Sequence, residues 1–153
     1  VLAKGAVFDI LIVMCKNVFP DKVKIQSHSI NILPRYVETD KAGMIHHSVY
    51  PVWFELGRTE LLRVNGLAYK ELEQAGVFFV VAELSVKYRR PAMYDEEVLL
   101  ETRCTEVTGS KVKHSYKLSR CGDGVILAEG WSVLACVDGE GKIRRMPGFM
   151  YPE

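Results

Sequence analysis

The stretch Val49-Tyr50-Pro51-Val52-Trp53-Phe54-Glu55-Leu56-Gly57-Arg58-Thr59-Glu60-Leu61-Leu62-Arg63-Val64 decides how the chain is read. Tyr50, Trp53, Gly57, Leu61 and Val64 recur at spacings of three and four, which puts them on one face of a helix. Glu55 with Arg58 and Glu60 with Arg63 stand three apart, where opposite charges meet on a helix surface. Pro51 is tolerated in a first turn whose N–H groups have no internal partner, and Ser48 is placed to cap them. Asn65-Gly66 ends the helix. Val52, Phe54, Leu56 and Leu62 carry apolar side chains to the other faces, so the helix is expected to be enclosed by other elements.

Upstream, residues 29–37 form a strand candidate in which Pro34 marks an edge or bulge. A polar turn over 38–43 and a short lead-in over 44–48 then deliver the chain into the helix. Downstream, a short helix over 68–75 stops at Gly76. Four β segments follow, at 77–90, 96–107, 111–121 and 125–137, divided by turn residues of which the shorter sets are hairpin signals. Val112, His114, Tyr116 and Leu118 alternate with Lys111, Lys113, Ser115, Lys117 and Ser119, giving one buried and one wet face. A strand, a long apolar helix and four hairpin-linked strands describe an α+β fold, with a five-stranded antiparallel sheet wrapped around a long central helix.

The chain has 153 residues, 48% of them hydrophobic and 25% charged, a profile of one domain that excludes two full ones. At this length a chain buries roughly two thirds of its unfolded surface, enough for a core without a structural metal. Lys and Arg number 20 against 19 Asp and Glu, a net charge of +1 that argues against nucleic acid as a partner. Cys15, Cys104, Cys121 and Cys136 lie too far apart for a Cys-x-x-Cys zinc site; an even count could make two disulfides, but Cys104 and Cys136 sit in β-like apolar runs, so reduced, buried thiols, which suit a cytoplasmic protein, are expected. From Gln26 the sequence runs without linker or repeat, so residues 26–153 are read as one domain. Residues 1–25 are an extension of uncertain role. Their apolar run is interrupted by Asp9, lacks a small-x-small cleavage site and is too short to span a membrane, so no stable membrane insertion is expected. An added strand or helix over an apolar surface and a leader from a misplaced translation start both stay open.

Asp40 precedes a turn that feeds the helix N-terminus, which sets a carboxylate near free N–H groups able to hold an oxyanion. Hydrolysis of an activated acyl group needs both a base or nucleophile and such donors. An Asp in this position also serves as a plain turn residue, and Gly43 lets the backbone turn tightly. His46-His47 adjoin the turn. Neighbouring histidines at a helix entrance do not face one metal easily, whereas a neutral imidazole beside Asp40 would orient the carboxylate or leaving group. Glu55, on a helix expected to be enclosed, needs a partner or a use, with Arg58 the structural partner and catalysis the alternative. Lys87-Tyr88-Arg89-Arg90 is the densest basic run, either a solvated strand end or a grip on the phosphates of a nucleotide-bearing ligand. Arg144-Arg145 is a second basic pair, and His114 is read as a satisfied interior or interface histidine. Trp53, Tyr69, Phe78 and Phe79 could line a pocket or simply fill the core.

Residues 35–63, from Arg35-Tyr36-Val37-Glu38-Thr39-Asp40 through His46-His47-Ser48 to Phe54-Glu55-Leu56-Gly57-Arg58-Thr59-Glu60, resemble the signature of hot-dog-fold acyl-CoA thioesterases of the 4-hydroxybenzoyl-CoA thioesterase type. Val86-Lys87-Tyr88-Arg89-Arg90-Pro91-Ala92-Met93-Tyr94-Asp95 resembles the second recurring stretch of that family, and the likeness covers residues 29–146. The resemblance implies that Asp40 is the essential carboxylate, as nucleophile or as base for water. It implies that the His47 backbone N–H polarises the thioester carbonyl, and a histidine there is similar to the Tol-Pal-associated branch. Glu55 matches a second carboxylate position. Gly43, Tyr50, Lys87, Arg89 and Arg90 are the candidate substrate-binding residues. The resemblance further implies an acyl-CoA substrate, with coenzyme A part of that substrate and no separate cofactor or metal, and a homodimer that pairs into a homotetramer. A non-catalytic acyl-CoA-binding hot-dog protein and a hot-dog hydratase or dehydratase using His47 with Glu55 are the rival readings.

Overall fold

In the computed structural model, which describes residues 19–152, five strands make one antiparallel sheet. They are β1 (Ser27–Ile32), β2 (Phe78–Tyr88), β3 (Val98–Val107), β4 (Lys111–Arg120) and β5 (Ile126–Val137), and two helices, α1 (Val49–Val64) and α2 (Tyr69–Gln74), fall between β1 and β2. The order across the sheet is β1-β3-β4-β5-β2. The hairpin-linked strands therefore run through the middle, and β1 and β2 take the two edges. This is the expected α+β arrangement.

α1 lies on the sheet over β1 and β3, and two glycines set how closely it can approach. A Cβ on Gly57 would come within 2.3 Å of Thr102 Oγ1 and 2.8 Å of a Leu100 methyl. On β5, a Cβ on Gly130 would stand 2.6 Å from the Phe54 ring, which instead stacks on Tyr116 with centroids 4.2 Å apart. One half of the core gathers Tyr50, Trp53 and Phe54 against Leu100, Leu118 and Leu127; the other gathers Leu62, Leu67 and Leu72 against Val77, Leu134 and Met146.

Several expectations are corrected by packing. β1 stops at Ile32 instead of running to residue 37, because Pro34 offers no N–H and Tyr36–Glu38 form a 3-10 turn closed by Arg35 and Glu38. Ser48 does not cap α1: its backbone is already helical, and its hydroxyl pairs with His46 Nδ1 at 2.7 Å. Nor is α1 enclosed within this chain, since the sheet covers one side and leaves Val52 58% and Leu56 41% exposed. The i,i+3 pairs Glu55–Arg58 and Glu60–Arg63 form as expected. On β4, Val112, His114, Tyr116 and Leu118 are buried as the alternation requires, and Ser119 joins them where the register shifts.

Residues 19–25, read from sequence as part of the extension, pack on the body. Phe19 stacks on Phe149, Val23 donates to the Phe149 carbonyl at 2.8 Å, and the Lys24 and Ile25 N–H groups donate to Asn65 Oδ1. The reading of residues 1–18, including Cys15, lies outside the described residues. Cys104, Cys121 and Cys136 are free thiols, half-buried, exposed and buried respectively. Among the described residues no helix is long and apolar enough to cross a membrane.

Candidate active site

The turn at 40–43 is organised by the side chain at its centre. Asp40 Oδ1 accepts the Ala42 N–H at 2.8 Å and the Met44 N–H at 3.2 Å, while the Asp40 N–H donates to the Met44 carbonyl at 2.7 Å. Gly43 closes the turn at φ +79°, a conformation that carries little cost only without a side chain. Oδ2 takes no hydrogen bond among the described residues, so one carboxylate oxygen anchors the loop and the other is available for chemistry.

Next along the chain, the backbone N–H groups that enter α1 are consumed one by one. His46 donates to the Glu38 carbonyl at 2.9 Å, Ser48 to His46 Nδ1 at 3.2 Å, and Val49 to the His46 carbonyl at 3.0 Å. Between them the His47 N–H has no acceptor among the described residues. It sits at the positive end of the helix, where unpaired N–H groups favour an anion.

Asp40 and His47 line one cleft of about 320 Å³, with Met44, Ile45, Tyr50, Tyr88, Arg89, Arg90 and Pro91. Tyr88 closes it by donating its hydroxyl to the His47 carbonyl at 2.8 Å and packing edge-on against Tyr50 at 4.9 Å. Burial raises both phenols above their ordinary range, so each is a neutral hydrogen-bonding group at pH 7. The Tyr50 hydroxyl accepts the Ala92 N–H at 3.2 Å. Arg89 is committed to Glu129 through two contacts, at 3.0 and 2.8 Å, whereas Arg90 donates to the Arg89 carbonyl alone.

Of the sequence-predicted residues, the cleft brings together Asp40, His47, Tyr50, Arg89 and Arg90, with Gly43 in the adjoining turn. Lys87 is exposed and outside it. Glu55 lies in a separate groove with Glu38, Val52, Trp53, Leu56 and Thr59. Its side chain is 70% exposed and 3.5 Å from Arg58, so the burial that was to make it costly does not occur.

Two residues were missed in sequence. Tyr88 stands in the basic run 87–90, where the charges of its neighbours give it no role of its own. Glu38 was read as part of a polar turn, yet it is buried, accepting the Arg35 N–H at 2.7 Å, an Arg35 guanidinium N–H at 3.0 Å and Trp53 Nε1–H at 3.2 Å. Burial alone would raise its carboxyl, but the bonds from Arg35 and Trp53 prevail and hold it below the usual range. Two residues before Asp40, it ties the turn to α1. A buried Trp, whose N–H needs an acceptor, was the available signal.

A family model described as "Thioesterase superfamily" matches residues 42–126. A protein of Haemophilus influenzae named "Acyl-CoA thioesterase YbgC" is 34% identical over 104 residues, which are 67% of this chain and 75% of that protein. "Acyl-CoA thioester hydrolase YbgC" of Escherichia coli O6:H1 is 29% identical over 103 residues, 67% of this chain and 76% of its own length. Among solved structures, the hypothetical protein TT1821 of Thermus thermophilus superposes with a TM-score of 0.73 at 39% identity, over 78% of this chain and 90% of that one.

Proposed function

Because the chain belongs to the thioesterase superfamily, we propose that it hydrolyses acyl-CoA thioesters to free acid and coenzyme A in the cleft between the Asp40 turn and the start of α1. The observation that carries this reading is the meeting, in one cleft, of a carboxylate with a free oxygen and a helix-terminal N–H left without an acceptor. The names of the relatives supply the substrate class.

In this mechanism the thioester carbonyl oxygen sits on the His47 N–H, which becomes a stronger partner as negative charge develops there. Asp40 Oδ2 either attacks the carbonyl carbon, giving an anhydride that water then cleaves, or takes a proton from the water that attacks. In both courses the carbon–sulfur bond breaks and coenzyme A leaves as its thiolate, with no metal or further cofactor. Arg90 and Arg89 at the mouth meet the phosphates of coenzyme A, with Lys87 as an outer charge, and Tyr50 and Tyr88 wall the thioester. Gly43 lets Asp40 reach forward.

A homodimer joined through β2 belongs to the same reading. That edge strand leaves Val80, Val81 and Leu84 about half exposed, an apolar edge unpaired among the described residues and suited to extending the sheet into a second copy. Pairing of two dimers gives the proposed homotetramer, which sedimentation would test. The free thiols of Cys104, Cys121 and Cys136, among the described residues, fit a reducing, cytoplasmic setting.

The test is thiol release from short-chain, long-chain and aromatic acyl-CoAs by wild type, Asp40→Asn and Glu55→Gln. Turnover lost in Asp40→Asn and kept in Glu55→Gln is expected. The reverse pattern would move the carboxylate to Glu55, and tight acyl-CoA binding without release would favour a non-catalytic binder. Hydration of enoyl-CoA without thiol release would favour the hydratase reading. After a single turnover in ¹⁸O water, label in the Asp40 carboxylate would establish the anhydride course, since it enters there only when water cleaves the anhydride at the Asp40 carbon.

A further inference from the structure

Behind the third turn of α1 lies a second pocket that shares no lining residue with the Asp40 cleft. Its volume is about 40 Å³, and its walls are mostly apolar: Leu61, Leu62, Phe79, Val112 and Met150 contribute to them. Into this setting the fold brings Arg58 and His114, 7% and 8% exposed. Arg58 Nε and His114 Nδ1 both lack a hydrogen-bond partner among the described residues. A buried guanidinium needs a compensating negative charge, and removing water makes its absence costly. The carboxylate paired with Arg58, that of Glu55, is 3.5 Å away and 70% exposed, so solvent screens it. The nearby Tyr69 and Tyr116 hydroxyls interact with the guanidinium but stay protonated, since burial outweighs its effect and drives the Tyr69 phenol up to about 12. Desolvation and the Arg58 charge push the His114 imidazole down to about 4, so it is neutral and offers Nδ1 as a donor in one tautomer.

We propose that this pocket binds a small monovalent anion of halide size, held between the Arg58 guanidinium and His114 Nδ1. Size fixes the class: one water needs roughly 10–15 Å³ of such volume, and small-molecule sites run to about 300–1,000 Å³. An acyl chain or nucleotide is therefore excluded, while a single ion with its apolar surround fits. Ile25, one of the lining residues, is itself exposed, so the pocket reaches the surface there. The site does not depend on the thioesterase reading, because none of its residues lines the catalytic cleft.

The test compares wild-type melting in chloride and in gluconate at equal ionic strength, and maps bromide by anomalous diffraction. Chloride at tenfold its dissociation constant is expected to raise Tm by about 3 °C in a saturable manner. Bromide is expected as a single peak between Arg58 and His114. In Arg58→Met the chloride-dependent rise should vanish, and His114→Phe supplies the same comparison if that variant fails to fold. Equal Tm in the two salts, or density for water with no bromine signal in the pocket, would overturn the proposal.

Discussion

At its N-terminal end α1 opens onto a solvent-exposed cleft, where Asp40, His47 and Tyr50 meet Tyr88, Arg89 and Arg90 from the end of β2 and the residues after it. In its third turn the same helix carries Arg58 into a mostly apolar pocket that His114 of the central strand β4 also lines. The first region leaves one carboxylate oxygen and one N–H uncommitted beside solvent, where they cost little until a substrate arrives. The second leaves an N–H and a ring nitrogen uncommitted in a low-dielectric interior, where each carries a standing penalty. Unpaired polar groups therefore mean different things in the two places. Beside solvent they fit the proposed reacting site; under the helix they fit the proposed anion.

The largest expected effect tests the wet end. Asp40→Asn should lower kcat for thiol release by at least the 10²–10³-fold that one oxyanion donor contributes, with Tm unchanged because Oδ1 can still accept the turn N–H groups. Near-normal turnover would remove the cleft from the chemistry.

Next in size is a test of the apolar end. The His114 imidazole binds its proton near pH 6.5 when unfolded but near 4 when folded, so the unfolded chain takes up more protons as pH falls through 6.5. Stability should be full above 6.5 and decline toward 4, by about 3 kcal/mol at the full shift. Glu38, whose carboxyl is also held low, adds its own loss only below its ordinary 4.5. Denaturant titrations at several pH values in gluconate, with His114→Gln alongside, would check this; an equal slope in the variant between pH 6.5 and 4.5 would show that another group is responsible.

Gly57→Ala probes the contact that joins the two regions. Its methyl would press on Thr102 and Leu100, and a loss of about 1–3 kcal/mol is expected in equilibrium unfolding. No loss would mean that α1 can lift from β3 freely.

Arg90→Ala sharpens the difference between mouth and centre of the cleft. KM for acyl-CoA should rise about two- to fivefold with kcat nearly unchanged, since an exposed cation contributes modest binding energy. A large kcat loss would place Arg90 at the reacting atoms instead.

Much of the fold was legible because it rests on periodicity. The spacing of Tyr50, Trp53, Gly57 and Leu61 sets α1, with the bounds Val49–Val64 as read, and the turn residues after Val107 and Arg120 mark the hairpins. The end of β1 was less legible, because a Pro tolerated at an edge reads much like a Pro that stops a strand. Of the site, Asp40 and His47 could be placed together from their nearness in sequence and their resemblance to a known signature. Glu38 could not, since a Trp on an apolar helix face signals that its N–H needs an acceptor but not which residue supplies it.

The sequence by itself determined the elements, their α+β order and the local turn that puts a carboxylate ahead of a helix N-terminus, because each depends on side chains a few residues apart. Only the tertiary structure decided that Arg90 and Tyr88 meet Asp40, that Glu55 faces solvent, and that Arg58 and His114 share a mostly apolar pocket. Those meetings join residues tens of positions apart, and they follow from sheet order and from how closely Gly57 lets the helix approach, neither of which a local pattern encodes.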